Sequence, residues 1–379
     1  MTSFCSKVKL PAWVKEGFIV GPIALILLLW PPFSIAELET VPKSEPEDIE
    51  KIWLGRFDLM NKLYPKGSDK MALRDAHTKA HACVRAKFTV GNDIDSEFQE
   101  GVFRTPGKQY SAWVRFSSSA AVPAPDEKRD GRGMAIKLMG VSGKKILEDE
   151  TNESTQDFVM FNFPVFFVRN TKDYVSFMEA ANEGEISKFM IPDHNPFHVR
   201  WRELRNALGL IYEERVHLLA MQYYSTTPYL LGKDRAIKFS ARSCNTDIPF
   251  HPNKDNPDFL RKQMKEYLAT NDACFDFLVQ KRKEGMPVED ATVLWDFDEA
   301  PLVPIARIEI KKQVFDTEEQ NTFCENLSFT PWHALPEHRP LGGINRVRKV
   351  MYERISKFRH ERNGMVRKEP TENGFYSQH

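Results

Sequence analysis

The sequence predicts an α+β domain, with strands gathered into an antiparallel barrel, interrupted by helices and closed by a C-terminal helix. Three observations lead there. Short segments of alternating apolar and polar residues fall in two groups, on either side of a stretch with helical spacing at about 170–220. The turn Asp130-Gly-Arg-Gly133 separates neighbouring strands of the first group. Near the end, Ile344, Val347, Met351, Ile355 and Phe358 recur every three or four residues and give one apolar helix face.

The elements follow in order. From Phe18 to Ala36 there are 19 uncharged residues, with Lys7, Lys9 and Lys15 before them and Glu37 and Glu39 after. That asymmetry keeps the N-terminus cytoplasmic and exports the body. Two versions stand: a cleaved signal with Ser34-Ile35-Ala36 as its small-x-small site, or an uncleaved anchor that just reaches spanning length. Either predicts a membrane-anchored or exported protein. Residues 37–70 are a charged linker with one amphipathic helix around Ile52, Leu54, Phe57 and Leu63. Strands are predicted at 84–90, 110–116 and 134–139, and short apolar runs lie at 158–161 and 165–168. Val175, Phe177 and Met178, then Leu204, Leu208, Ile211 and Val216, mark the helical middle. Strands return at 236–242 and 303–310, with one helical segment predicted between Asp258 and Lys283. The chain therefore divides into a hydrophobic signal or anchor with linker (1–40), a folded domain (41–362) and a polar tail (363–379).

Composition narrows the function. Hydrophobic residues make up 41% of the chain and Phe alone numbers 27, enough for a large core. Lys+Arg and Asp+Glu balance at 53 each, so no overall field draws the protein to nucleic acid. The basic stretch 346–368 is the one feature that would suit nucleic acid, and such runs are usually solvated faces. Cys5, Cys83, Cys244, Cys274 and Cys324 are odd in number and scattered without a CxxC pair, which predicts dispersed thiols and no zinc ribbon or disulfide framework.

Two clusters carry chemistry. Arg348, Tyr352 and Arg359 are spaced by four and seven residues on the last helix, so they project from roughly one side. A tyrosine titrates near about 10 unless a cation or metal holds it ionised, and Arg348 is placed one turn away. Far upstream stands Arg74-Asp-Ala-His77, with His81 as a competing imidazole four residues on.

Five motifs in order carry a family resemblance over about 65–360. Arg74-Asp-Ala-His-Thr-Lys79 is similar to the catalase segment with Arg three residues before the distal His. Val114-Arg-Phe-Ser-Ser118 resembles V-R-F-S-T. Arg129-Asp-Gly-Arg-Gly-Met-Ala-Ile-Lys137 resembles R-D-x-R-G-F-A-x-K, with Asp126 at the matching offset. Asn162-Phe-Pro-Val-Phe-Phe-Val-Arg169 looks like N-T-P-V-F-F-I-R, and Arg348 to Arg359 matches the proximal R-x-x-x-Y with an Arg seven residues on. The chain is identified as resembling the catalase superfamily, among its small, divergent haem proteins.

The resemblance implies a catalase-like barrel that binds haem b, with Tyr352 as axial ligand to the iron and Arg348 as its charge partner. It implies His77 as distal acid-base catalyst, oriented by Ser117. Arg74, Arg115 and Arg359 would pair with the haem propionates, Phe166 would stack near the ring, and Asn162 would serve as catalytic amide. The family has two consecutive Asn and uses the first; here that place holds Phe161. Allene oxide synthases of the same group have Thr before the distal His, where this chain has Ala76. The implied function is therefore a catalase or peroxidase acting on hydrogen peroxide or small organic peroxides. The alternatives are a fatty-acid hydroperoxide-transforming enzyme and a non-catalytic haem-binding protein.

Overall fold

The computed structural model describes residues 38–212 and 216–372. The apolar stretch 18–36, read above as signal or anchor, lies outside the described residues. Among those described, no helix is long and apolar enough to cross a membrane.

Helix α1 (Glu45–Leu63) carries Glu45, Glu47 and Asp48 in its first turn, where the helix dipole favours negative charge. It buries Ile52 and Met60 and leaves Leu54 exposed. The chain then builds β1 (Ala80–Val90), β2 (Gln109–Ser118), β3 (Arg132–Met139) and β4 (Thr155–Phe161) as an antiparallel meander. Three helices follow: α2 (Thr171–Asn182), α3 (Ile186–Met190) and α4 (Trp201–Tyr212). Strands β5 (Gln222–Tyr224), β6 (Tyr229–Leu231) and β7 (Arg235–Ser243) precede α5 (Phe259–Thr270), and β8 (Ala273–Lys281) and β9 (Leu302–Ile310) follow it. Because β5 pairs with both β4 and β7, eight strands close in the order β5-β4-β3-β2-β1-β9-β8-β7, with β6 appended to β7. The predicted α+β barrel is present.

Phenylalanines fill the barrel. Phe277 of β8 lies 5.3, 4.9 and 5.6 Å from the rings of Phe88, Phe158 and Phe239. Such pairs add about 0.5–1.5 kcal/mol each beyond their burial. Truncating a ring of this kind to Ala costs about 3–5 kcal/mol.

Two expectations are corrected. The single helix expected over Asp258–Lys283 is a helix and a strand: α5 buries Phe259, Leu260, Met264 and Leu268, and after Asn271 and Asp272 burial alternates through Ala273, Phe275 and Phe277. The four described cysteines are not dispersed thiols either, since Cys83 pairs with Cys324 and Cys244 with Cys274 in disulfides; Cys5 lies outside the described residues. The first spans a sequence separation of 241 residues and ties β1 to α6 (Glu318–Asn326).

Helix α7 (Gly343–Arg362) closes the domain. Gly342 enters it at φ 86°, and a Cβ there would lie 2.5 Å from the Val288 carbonyl oxygen, so only glycine fits the turn. Beyond the helix, the tail turns back. Glu369 reaches the fully buried Lys137, whose ammonium sits 2.6 Å from it and 2.7 Å from Asp157. Burial opposes that charge, but the two carboxylates outweigh it and hold the lysine above its ordinary pKa. Removing one partner of such a buried pair costs about 3–5 kcal/mol.

Candidate active site

The register of three strands prepares one wall of a cavity. Arg115 of β2 pairs with Ala135 of β3, which pairs with Val159 of β4; Ser117 pairs with Gly133, and Gly133 with Phe161. Side chains two residues apart share a face. These two rows therefore lie on the outside of the barrel, while Val114 and Phe116 point into its core. All six residues line a cavity of about 340 Å³, within the range of small-molecule sites. Its other walls come from α7, through Arg348, Met351, Tyr352, Ile355 and Arg359, and from α2 and α4.

His77 enters from the loop before β1 with φ 56°, an uncommon backbone state for a non-glycine residue. Three contacts hold it there. Its amide donates to the Ser119 carbonyl at 3.1 Å, its carbonyl accepts from Arg115 Nη2 at 2.8 Å, and its Nδ1 sits 3.0 Å from Ser117 Oγ. A Cβ on Gly133 would come within 2.6 Å of the imidazole, so the strand must carry glycine for the ring to fit. Burial first, then the positive charges of Arg115, Arg348 and Arg74, push the His77 pKa down to about 3. The imidazole is neutral at ordinary pH.

Tyr352 and Arg348 occupy the α7 wall, with Arg348 stacked over Phe166 at 5.2 Å. Arg348 donates to Thr227 Oγ1 at 3.0 Å, Thr226 Oγ1 at 3.3 Å and Asn345 Oδ1 at 3.4 Å. Burial raises the Tyr352 pKa, and Arg348 pulls the other way.

Along the edge stand three guanidinium groups. Arg74 donates to the carbonyls of Cys324, Glu325 and Leu327 at 3.1, 3.3 and 2.6 Å and pairs with the Glu325 carboxylate at 2.8 Å. Arg359 donates to the Glu325 carbonyl and to Ser328 Oγ at 3.2 Å, and lies 3.8 Å from the same carboxylate. Arg115 is buried, its Nε has no hydrogen-bond partner, and burial with the nearby Arg74 charge drives its pKa well down. One carboxylate among three guanidiniums, with one donor unspent, suits a ligand that brings carboxylates of its own.

The cavity thus gathers Arg74, His77, Arg115, Ser117, Phe166, Arg348, Tyr352 and Arg359 of the residues singled out in the sequence. Asn162 is not brought there. Its Oδ1 accepts the Arg132 amide at 2.7 Å, and Phe161 takes the place at the cavity, edge-on to His77 at 5.8 Å between ring centres. His81 is also outside: it is fully buried on β1, its Nε2 2.8 Å from Ser118 Oγ. Sequence reasoning missed Glu325, Thr226 and Thr227. Thr226 at φ 61° in the run Ser225-Thr-Thr-Pro228 is a local strain that marks the place, but nothing in the sequence points to Glu325.

Residues 45–202 match the family model for catalase. Curated relatives are catalases too: isozyme 3 of Cucurbita pepo is 24% identical over 301 residues, covering 73% of this chain and 57% of that protein. Catalase-1 of Arabidopsis thaliana is 26% identical over 305 residues, covering 73% and 59%. The chain is thus similar in sequence to catalases. Solved catalases share its fold. A fungal catalase superposes with TM-score 0.63 at 20% identity, over 80% of this chain and 62% of that one, and catalase A of Saccharomyces cerevisiae with 0.61 at 17%, over 87% and 67%. The chain spans less than three-fifths of the length of these two curated catalases.

Proposed function

We propose that this chain is a haem-dependent oxidoreductase that breaks down hydrogen peroxide or small organic peroxides. The observation that carries the reading is a neutral imidazole, His77, fixed on Ser117 at the cavity wall, with Tyr352 and Arg348 on the wall from α7. Haem b fits the residues present: Tyr352 would ligate its iron, and Arg74, Arg115 and Arg359 would hold its carboxylates. When bound, it supplies the iron centre at which the peroxide O–O bond is split. With Nδ1 committed to Ser117, His77 Nε2 is the nitrogen that takes a proton from the peroxide and returns it to the departing oxygen, which leaves as water or alcohol. Arg348 holds charge beside the phenol oxygen of Tyr352 and favours its ionised form. Asn162 is given no role here, since it does not line the cavity and its Oδ1 accepts the Arg132 amide.

A second reading, a fatty-acid hydroperoxide-transforming enzyme, is favoured by the apolar side of the cavity: Phe163, Phe167, Phe177, Met178 and Leu210. The two disulfides support a protein that works in an oxidising compartment, in keeping with the export read from residues 18–36.

An oxygen-electrode trace with hydrogen peroxide, beside product analysis with a fatty-acid hydroperoxide, tests these readings. Oxygen release supports the first, and rearranged lipid product without oxygen supports the second. A haem-loaded protein inert to both, with and without an electron donor, contradicts each and leaves a haem-binding protein.

A further inference from the structure

Helix α4 separates the cavity from solvent and is two-sided in an unusual way. Asn206 and Leu210 line the cavity, and Asn206 Nδ2 donates to the Thr292 carbonyl at 3.1 Å, fixing the helix to the body. Over residues 201–210 its exposed positions are Trp201, Arg202, Arg205 and Leu208. Trp201, Arg205 and Leu208 follow at spacings of four and three and so form one stripe. The one carboxylate of the helix, Glu203, is buried and turned 3.3 Å toward Arg169. The outward face is therefore apolar and cationic. Just ahead of it, the Asn195 side chain accepts the Phe197 amide at 3.0 Å, and this turn presents Phe197 with 92% of its surface exposed. Trp201 is 70% exposed and Ile186 of neighbouring α3 is 47% exposed.

Single exposed apolar residues are ordinary, but Phe, Trp, Leu and Ile gathered beside arginine are the composition of a helix that lies in a bilayer interface. Aromatic rings prefer the headgroup level, and arginines there meet anionic lipid. We propose that the face carrying Phe197, Trp201, Arg202, Arg205 and Leu208 rests on an anionic lipid surface. Resting there, it gives peroxides dissolved in the bilayer access to the cavity behind α4. The substrate part of this inference rests on the peroxide reading of the cavity; the docking part does not. The apolar residues Phe163, Phe167, Phe177 and Leu210 on the cavity side of the same region suit an acyl chain arriving from the lipid. Arg205 makes no ion pair among the described residues, which leaves its charge for a headgroup, while Arg202 pairs with Asp290 at 3.0 Å.

Two measurements on the full-length, haem-loaded protein in phosphatidylcholine–phosphatidylglycerol vesicles test it. The emission of Trp201, taken as the difference between wild type and Trp201→Phe, should be quenched by lipids brominated on the acyl chain; unquenched emission overturns the docking. Phe197→Ser/Trp201→Ser should consume a vesicle-borne phospholipid hydroperoxide, with an electron donor present, about tenfold more slowly than wild type, with hydrogen peroxide turnover in bulk water unchanged. Equal loss on both substrates, no loss on either, or a change of oligomeric state in the variant overturns the proposal, the last because the face then joins two copies of the chain. If wild type consumes neither peroxide, the peroxide reading fails while the quenching experiment still decides the docking.

Discussion

The loop that carries His77 and the strand that carries His81 differ in one respect, which is access to the cavity. His81 is buried and His77 half-buried, both contact a serine of β2, and desolvation pushes both well below the ordinary histidine pKa. Yet His81 sits on a paired strand and faces Ser118 and Asp126 in the interior, whereas His77 sits before the pairing begins, at φ 56°, and faces the cavity. Neutral, oriented histidine is common to both places. Access to the cavity is what separates the two, and a departure from regular backbone provides it for His77.

The sharpest way to break that comparison is to remove each ring. His77→Ala should keep haem and lose peroxide cleavage by about two to four orders of magnitude. His81→Ala should keep most of the rate and instead lose stability by about 1–3 kcal/mol, because Ser118 loses a buried partner. Oxygen-electrode rates at matched haem content and denaturant melts read the two effects, and the reverse pattern would exchange the roles.

Gly133→Ala tests the same site without touching the imidazole. A methyl group 2.6 Å from the ring must displace it from Ser117, and the rate should fall by about a hundredfold with haem content kept. Ser117 is an internal check, because Ser117→Ala frees the ring without crowding it and should cost less. Next, Phe161→Asn should raise oxygen release by several-fold, by bringing an amide beside His77 where a phenyl edge now stands. An unchanged or lower rate would mean the ring helps.

The smallest effect is on pH. His217 and His338 are neutral by burial, with pKa values lowered to about 4 from 6.5, and their ring nitrogens accept the Leu219 and Val102 amides at 3.1 and 3.0 Å. Between pH 6.5 and 4 the unfolded chain binds protons at these residues that the folded chain does not, so stability rises with pH across that window. The melting temperature should fall as pH is lowered from 6.5 to 4. His217→Gln should flatten the fall if the side-chain amide keeps the Leu219 contact.

Much of the site was legible because its parts lie in short local patterns. The α7 spacing puts Arg348, Tyr352 and Arg359 on one side, and all three reach the cavity. Arg74, two strands and the Arg before Tyr352 were likewise readable one segment at a time. What escaped is long-range or directional. Cys83 and Cys324 are brought together by the closed barrel, and no local signal pairs residues so far apart. Asn162 was expected at the cavity, but its amide turns to the Arg132 backbone, a choice that depends on the neighbouring strand. The strand after α5 was absorbed into the helix, since Phe275, Phe277, Leu278 and Val279 are apolar enough to satisfy either period.

A haem titration followed by absorption tests most directly the proposal that one cavity holds haem between Tyr352 and His77. The expected result is a one-to-one complex with a high-spin, phenolate-ligated spectrum in wild type. In His77→Ala that spectrum should be retained, and in Tyr352→Phe it should be lost together with tight binding. A Tyr352→Phe protein that binds haem with the wild-type spectrum, or a wild type that binds none, would contradict it.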